Sequence, residues 1–535
     1  MKQPLNRTAA SLAALALCGA ALAHEGGSDG KLGDVHFKVG CNAAAQREFD
    51  LVMALYHSFA WEQIKAPLDR AAQADPQCGM VHWARALASL DNPFAWPGNV
   101  STQTLADGAT LIAQARQAGL STARERGYVD ALAAFFQDAD KLNHRTRAQS
   151  LETGLEQVAR NHPEDAEATI LYSLVLSANF DPSDKQYRNQ LKAANLLEPI
   201  FAKQPLHPGA AHYLIHSYDY PPLATRGLSA AERYSKIAPA AAHAQHMPSH
   251  IFTRVGAWPA SVAANTASAN ADTASGPNAL HAYDYMTYAH MQMGQDRAAQ
   301  AVRERAQAIV KRPDHFAAAF AYGAIPARLA LERGDWAAAA ALPLTPAADA
   351  YPWAKYPQAE ASNAYARGLG AAALRDTAAT ASELERLARL RDRAVELKIG
   401  YWAEQIAIQI EVVRHFAAFK TGQVDAGLAG LQQAAEREDA SEKHVVTPGP
   451  LLPAREVLAG ALLERGDAAG ALREFESVLR KEPNRLRAMA GAALAAERSG
   501  NKQRASEYLE QITRQTAQSD GNLPGVQLAR LSVSR

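Results

Sequence analysis

Histidines concentrate in one stretch of this chain, residues 207–290, at spacings that fit helices. Eight of the 17 histidines lie there. His212 and His216 are four residues apart, as are His246 and His250, and His281 follows on a third segment. Residues four apart lie on the same face of a helix. Imidazole is the commonest metal-ligating side chain, so we expect the chemistry of this protein to lie in this stretch.

Three neighbouring helices carrying these histidines would form a site for zinc or copper. The five predicted metal ligands, which are also predicted to contact any other ligand, are His212, His216, His246, His250 and His281. Asp284 lies on the third segment and would add a carboxylate. Pro248 leaves two arrangements open, because a helix either runs through it with a kink or begins at it. The alternative to a binding site is a core network of histidines hydrogen-bonded to tyrosines.

The histidines are not accompanied by a recognised catalytic motif. The HExxH motif of zinc peptidases needs a glutamate after the first histidine, whereas Tyr213 follows His212. The sequence also lacks G-x-S-x-G, a P-loop and a dinucleotide-binding fingerprint. We therefore assign no catalytic residue and favour a role other than an enzyme.

A second candidate for ligand binding follows the sequence TPGP at 447–450. This rigid turn precedes a predicted helix whose start bears Arg455 and Glu456. Arg455 and Glu456 are therefore predicted to contact a ligand. The alternative is an ordinary linker followed by a surface ion pair.

The first 23 residues have the pattern of an export signal. Lys2 and Arg7 precede a short apolar run, and Ala21-Leu22-Ala23 matches the small-x-small cleavage pattern. No later segment is long and apolar enough for a membrane helix. We expect cleavage after Ala23 and a periplasmic or secreted bacterial protein.

Two cysteines, Cys41 and Cys78, remain after this cleavage. In an oxidising compartment two remaining cysteines are often paired. A disulfide here would close a loop of about 37 residues and contribute roughly 4 kcal/mol by the chain-entropy estimate. Two buried thiols are the alternative.

The composition predicts an all-α protein that does not bind nucleic acid. The chain has 535 residues, of which 21% are charged, and its formal net charge is zero. A nucleic-acid binder would show a basic surplus. Alanine, the best helix former, is abundant throughout, and alternating β-branched runs are almost absent.

The C-terminal part repeats with a period of 34 residues. Gly466 and Gly500 share this offset, as do Ala471 and Ala505, and Pro483 follows the first unit. Small residues let paired helices cross closely, and proline ends the second helix. This pattern resembles the tetratricopeptide repeat. Glycine turns at Gly256, Gly294, Gly334 and Gly422 extend more degenerate units through the middle of the chain.

Several stretches also resemble a group of exported bacterial tetratricopeptide proteins. They are FDLVMALYHSFAWEQ, DPQCGMVHWARALA, HPGAAHYLIHSYD, HMPSHIFTRVGAW and EKHVVTPGPLLPARE. The resemblance implies an α-solenoid of stacked antiparallel helix pairs whose concave surface binds a peptide or a protein partner. The first helix of each pair would line that surface.

These observations predict the organisation of the whole chain. The expected parts are a signal peptide (1–23), a flexible segment (24–40), a degenerate repeat array (41–440) that includes the histidine-rich segment 207–290, a linker (441–453), well-formed repeats (454–517) and a tail without regular structure (518–535).

Three functions are compatible with this organisation. The favoured one is an exported binding protein that presents a histidine-lined concave groove to a peptide, protein or small ligand. The alternative is a divalent-metal-binding protein or metal-dependent hydrolase that uses the histidines. A purely structural scaffold is the third.

The export signal and the cysteine pair can be tested together. The intact mass of protein from the periplasm should correspond to a chain that begins at His24. No cysteine should react with an alkylating reagent before reduction. Two alkylated cysteines in unfolded, unreduced protein would contradict the Cys41–Cys78 disulfide.

Overall fold

The structure, a computed structural model, describes residues 31–272, 276–521 and 523–533, with side chains of the last helix described through residue 528. These residues form α-helices and short 3-10 turns, and no strand occurs among them. The predicted all-α class is therefore confirmed. The predicted signal peptide (1–23) lies outside the described residues.

The helices of the first half, in chain order, are α1 (Ala43–His57), α2 (Lys65–Ala74), α3 (Gly79–Ser89), α4 (Thr102–Ala118), α5 (Ala123–Phe136), α6 (His144–Asn161), α7 (Ala166–Ala178), α8 (Arg188–Lys203), α9 (Pro208–Tyr218), α10 (Leu228–Ile237), α11 (Ala242–His246), α12 (Pro248–Arg254) and α13 (Trp258–Ala271).

The helices of the second half are α14 (Pro277–Gln292), α15 (Asp296–Gln307), α16 (Phe316–Arg333), α17 (Trp336–Ala340), α18 (Pro357–Ala373), α19 (Thr377–Glu396), α20 (Gly400–Lys420), α21 (Val424–Asp439), α22 (Ala454–Arg465), α23 (Ala468–Lys481), α24 (Leu486–Arg498), α25 (Lys502–Gln515) and α26 (Pro524–Val533). The 3-10 turns are at Trp61–Gln63, Pro93–Ala95, Ala224–Gly227 and Trp353–Lys355.

Consecutive helices pack as pairs, and each pair stacks on the next, which is the predicted solenoid. Most pairs in the second half turn through a glycine, as predicted. Gly256 has φ of +71° and lies so close to the carbonyl oxygen of Pro483 that a Cβ would meet it at 2.5 Å. Small residues also bring neighbouring pairs together. A Cβ on Gly323 of α16 would lie 2.1 Å from the carbonyl oxygen of Ala359 on α18.

The C-terminal pairs curl back onto the middle of the array. α22–α26 share one hydrophobic core with α14–α16. Backbone groups connect the two parts, because Trp258 Nε1 donates to the carbonyl of Asn484 at 3.1 Å and the Leu486 N–H donates to Gln292 at 2.9 Å. Residues far apart in sequence can therefore contribute to one inner surface.

Segment 441–453, expected to be a linker, lies on this inner surface and is named here the inner segment. It has no helix, but its backbone carbonyls accept hydrogen bonds from side chains of α14 and α18. Tyr285 of α14 donates to Val445 and Thr447 at 3.2 Å, and Tyr365 of α18 donates to Leu452 at 3.0 Å. The inner segment thus occupies part of the concave side. Its position is stabilised because its carbonyls accept from tyrosine hydroxyl groups that would otherwise be buried without partners.

The described residues of the predicted flexible segment and of the predicted tail are more ordered than the sequence suggested. Within the segment expected to be flexible, residues 31–40 are packed, and Phe37 is fully buried against Phe49, Trp83 and Tyr128. The predicted tail forms α26, whose Val526 joins the core of α14–α16. Aromatic and aliphatic burial outweighs the local glycine-rich or polar composition in both places.

The predicted disulfide between Cys41 and Cys78 is present, with the two Cα atoms 5.3 Å apart. It joins the extended segment before α1 to the start of α3. A search of the described helices found none with an apolar stretch that would cross a membrane.

The return of the C-terminal pairs depends on a buried guanidinium. Arg485 is fully buried, its Nε lies 2.5 Å from Glu456 and its Nη2 lies 2.8 Å from Glu332. Removing one partner of a buried ion pair leaves an uncompensated charge.

We therefore expect Arg485→Leu to lower the free energy of unfolding by about 3–5 kcal/mol. Urea denaturation followed by circular dichroism measures this loss. Arg473→Ala is the control, since Arg473 lies exposed on α23. Equal stability of the two variants would show that Arg485 does not hold the C-terminal pairs in place.

Candidate metal centre

Four inner helices, α9, α11, α12 and α14, carry six histidines to one place. His212 and His216 lie on one face of α9, as their spacing predicted. The proline alternative is resolved, because α11 ends at His246 and α12 begins at Pro248. Proline suits the first position of a helix, where no intrahelical partner exists for an N–H. The break turns the α11 and α12 histidines toward each other.

The first trio consists of His212, His216 and His243. The Nε2 atom of His212 lies 3.1 Å from Nε2 of His216 and 3.1 Å from Nε2 of His243. On the other side of its ring, His212 Nδ1 donates to the backbone carbonyl of His57 at 2.7 Å. That bond places the proton of the neutral ring on Nδ1, so the lone pair is on Nε2 and faces both neighbours.

The second trio consists of His246, His250 and His281. Nε2 of His246 lies 3.0 Å from Nε2 of His250, and the His246 and His281 rings are 4.3 Å apart between centroids. His246 Nδ1 donates to Asn265 Oδ1 at 2.6 Å, and His250 Nδ1 donates to Asp219 at 2.8 Å. Both rings are thus held with Nε2 directed inward.

The hydrogen-bond directions in the second trio follow from its surroundings. The Asn265 amide nitrogen donates to the carbonyl of Ser261 at 2.7 Å, so its oxygen is the atom that faces His246. Asp219 is a carboxylate and can only accept. Each Nδ1 therefore carries the proton, and two Nε2 lone pairs point at each other across 3.0 Å. Such lone pairs repel unless a cation lies between them.

The spacing of these nitrogens suits a metal ion. Zn–N bonds of about 2.0–2.1 Å at tetrahedral angles place ligand nitrogens about 3.3 Å apart. In each trio all three ligating atoms lie within 4.8 Å of one another. Fixing the outer ring nitrogen by a carbonyl, an amide or a carboxylate is how proteins orient metal-ligating histidines.

Burial keeps these imidazoles neutral. Desolvation, reinforced by neighbouring imidazoles, lowers the pKa of His212, His216, His243 and His281 well below the usual value. Burial also lowers the pKa of His250, despite the nearby carboxylate. A proton between the rings is therefore disfavoured, and a metal ion is the cation that this arrangement accommodates.

Asp219 is the buried anion beside the second trio. Besides His250, it accepts from Arg254 Nε at 2.8 Å and from Lys443 Nζ of the inner segment at 3.2 Å. Burial alone would raise the pKa of Asp219, but Lys443, Arg254 and His250 outweigh this and hold it well below the usual value. Burial lowers the pKa of Lys443 to about 8.

A third trio, His57, Glu167 and His207, is a satisfied hydrogen-bond network. Each Nε2 lies 2.9 Å from one oxygen of Glu167. His57 Nδ1 accepts from the Tyr213 hydroxyl at 2.9 Å, and His207 Nδ1 accepts from the Ala210 N–H at 3.3 Å. Every ring nitrogen thus has a partner of the right kind, which indicates a structural role.

Aromatic rings cover the first trio. Phe94 stacks on His216 with centroids 3.9 Å apart, and Phe59 stacks on His243 at 5.1 Å. Tyr234 stacks on His212 at 5.1 Å. These contacts make the cluster enclosed, with only His243 and His281 partly exposed. The histidines therefore line an enclosed cluster and not the open groove that the sequence suggested, because loops of the N-terminal pairs close over it.

Asp284 was predicted beside the histidines but faces away from them. It forms a buried ion pair with Arg328 of α16, whose Nε lies 3.0 Å from its carboxylate. Arg328 in turn donates to the carbonyls of Gly449 and Pro450 in the inner segment. A spacing of three residues would allow Asp284 and His281 to share a face of α14, but the ion pair with Arg328 directs the carboxylate toward α16.

Arg455 and Glu456 also lie away from the histidines. Arg455 pairs with Asp439 and Glu474, and Glu456 is buried against Arg485. The surface-ion-pair alternative fits Arg455, whereas Glu456 belongs to the contact that holds the C-terminal pairs.

Sequence reasoning left two features out of the site. His243 completes the first trio, and its spacing of three residues before His246 was the available signal. The trio around Glu167 had no signal in sequence, because His57 and Glu167 are 110 residues apart.

Comparison with protein families finds a match at the C-terminal end of the array. A model of the family described as tetratricopeptide repeat matches residues 462–522, which run from the end of α22 to beyond α25. Residues 462–522 therefore contain tetratricopeptide repeats. The match confirms the 34-residue assignment made from Gly466 and Gly500. A search of curated proteins found none that matches.

The solved structures that match this chain are distant. The human IFIT1 dimer with m7Gppp-AAAA is 13% identical to this chain and has a TM-score of 0.30. The match covers 88% of this chain and 82% of the IFIT1 chain. A monomeric IFIT1 mutant with Gppp-AAAA is 12% identical, with coverages of 81% and 90% and a TM-score of 0.36. The APC/C hetero-tetramer Cut9-Hcn1 is 11% identical, with coverages of 91% and 89% and a TM-score of 0.29.

The structural role of the third trio can be tested with Glu167→Gln. A glutamine cannot accept from both His57 and His207 with its one oxygen, so we expect a loss of about 1–3 kcal/mol in the free energy of unfolding at pH 7. Metal content should not change. Glu164→Gln, at an exposed carboxylate, is the control in urea denaturation.

The same comparison should depend on pH. Burial raises the pKa of Glu167, but His57 and His207 outweigh it and hold the pKa far below the usual value of 4.5. Stability from a lowered carboxylate pKa is present above the unfolded pKa and is lost as pH falls below it. The difference between the parent and Glu167→Gln should therefore shrink below about pH 4.5. Loss of a metal ion from the variant would contradict a structural role.

Proposed function

We propose that this tetratricopeptide-repeat protein binds transition-metal ions at the first and second histidine trios, His212–His216–His243 and His246–His250–His281. The observation that carries the proposal is the distance of 3.0 Å between the Nε2 atoms of His246 and His250. The Nδ1 atoms of both rings donate to other residues, Asn265 and Asp219. A hydrogen bond between them has no proton available, whereas a metal ion uses both lone pairs.

The ligand set indicates which metals suit the site. Each trio offers imidazole nitrogens and neither thiolate nor a directly placed carboxylate. Imidazole suits zinc, copper, nickel and iron, whereas calcium and magnesium prefer oxygen ligands. Zinc and copper are therefore the ions to test first, as the histidine spacing suggested.

The proposal extends to the compartment of the protein. The export-type N-terminus and the Cys41–Cys78 disulfide support a periplasmic or secreted location.

A hydrolytic role has less support than binding. Three protein ligands leave a position for water on a zinc ion, but hydrolysis also needs a free base beside that water. The buried carboxylate at the second trio, Asp219, is already engaged by His250, Arg254 and Lys443.

A peptide or protein partner is a second candidate, at a different place. A cavity of about 140 Å³ lies between the inner segment and α18–α22, with Tyr401, Trp402, Gln405 and Arg455 in its wall. Capture of a partner by the parent protein but not by Trp402→Ala, with both retaining metal, would support this candidate. Equal capture by both proteins would contradict it.

Metal binding should be lost by single substitutions in either trio. Untagged protein stripped with a chelator and reloaded with zinc or copper should melt at a higher temperature than the stripped protein. A free metal concentration of 100 times Kd raises the free energy of unfolding by about 2.7 kcal/mol for each bound ion. His212→Ala and His250→Ala should each lose one bound ion and part of this increase.

His36→Ala is the control, because His36 is 71% exposed and pairs with Asp50, away from both trios. It should retain the metal content of the parent. If the stripped parent melts at the same temperature with and without metal, while both trio variants are destabilised by about 1–3 kcal/mol, the histidines form a structural network and the proposal is wrong.

A further inference from the structure

The two proposed metal trios are neighbours in space. The ring centroids of His216 in the first trio and His250 in the second are 6.1 Å apart, and those of His243 and His246 are 6.2 Å apart. Ring distances within a trio include 4.9 Å for His212 and His243 and 6.3 Å for His250 and His281, so the distances between the trios fall in the same range. Ions held by the two trios would therefore be close enough to influence each other.

One short helix contributes to both trios. His243 and His246 lie on the single turn of α11, three residues apart, so they share a face of that helix. His243 joins the first trio and His246 the second. The proline at 248 ends this turn and starts α12, which supplies His250. The local fold thus couples the positions of the two sites.

The charge balance of the pair requires an anion. All six ligands are neutral imidazoles, and the enclosed site has a low dielectric constant, so two divalent ions would repel strongly. Asp219 contacts only His250 among the ligands, and Arg254 and Lys443 more than neutralise it. Among the described residues, no other carboxylate forms a hydrogen bond with a ligand of either trio.

The coordination number leaves room for that anion. Zinc or copper held by three histidines retains at least one open position. The hydrogen bonds at Nδ1 fix the inward direction of His212, His246 and His250, so the remaining position on each ion would be filled by a group other than these histidines. A small anion from solvent could occupy a position on both ions at once.

We propose that the two trios form one binuclear centre, in which two metal ions share a small exogenous anion such as hydroxide or azide. This inference rests on the proposed metal binding and adds the coupling between the ions. The centre is built by α9, α11, α12 and α14, and its ligands come from His212, His216, His243, His246, His250 and His281.

Electron paramagnetic resonance of the copper-loaded protein tests the coupling directly. The stripped full-length protein is loaded with Cu(II), dialysed and analysed for total copper and, with a Cu(I)-specific chelator, for oxidation state. We expect two Cu(II) ions per chain but a doubly integrated signal well below two spins, because a shared anion couples the two unpaired electrons.

Breaking one trio should remove the coupling. His281→Ala should retain one Cu(II) ion with a full signal of one spin, and His36→Ala should behave like the parent. Azide should change the spectrum of the parent at one azide per two copper ions, and its affinity should fall at least tenfold in His281→Ala. Since the parent spectrum is itself a test, a misfolded variant does not decide the outcome.

The failures of the two proposals differ. Two bound Cu(II) ions that give two full spins would overturn the shared anion and leave metal binding intact. Two full spins with a half-field transition would mean neighbouring ions without a shared ligand, which also overturns the binuclear centre. No copper retained after dialysis would overturn the proposed function and the coupling together.

Discussion

The inner side of this solenoid depends on the hydrogen bonds and ion pairs of one buried carboxylate, that of Asp219. It follows the last turn of α9, orients His250 of α12, and pairs with Arg254 and with Lys443 of the inner segment. A carboxylate buried without partners would be strongly unfavourable. Its three partners come from parts of the chain up to 224 residues from it, so the histidine cluster and the position of the inner segment are stabilised by the same charge.

Hydrogen bonding separates the structural histidines from the candidate ligands. His57 and His207 give both Nε2 protons to Glu167 and receive hydrogen bonds at Nδ1. His246 and His250 instead donate outward from Nδ1 and direct their lone pairs at each other. Residue type and burial are similar in the two groups. The direction of the outer hydrogen bond decides which nitrogen is free, and therefore what each group can bind.

The concave surface of this helical solenoid is partly filled by its own chain. The inner segment lies where such arrays commonly offer a groove, and its carbonyls accept from Tyr285, Arg328 and Tyr365. The consequence is an interior dry enough to lower the pKa of the imidazoles and of Lys443.

The sequence by itself determined the helical class, the repeat, the cysteine pair and the histidines of α9, α11, α12 and α14, because helix propensity, glycine turns and i,i+4 spacing are local properties. It could not place Asp284 or Glu456, whose partners Arg328 and Arg485 are brought to them by stacking and by the curl of the array. Nor could it predict that the tail folds as α26 or that the inner segment is buried. Those outcomes depend on contacts between residues far apart in sequence, which only the tertiary structure decides.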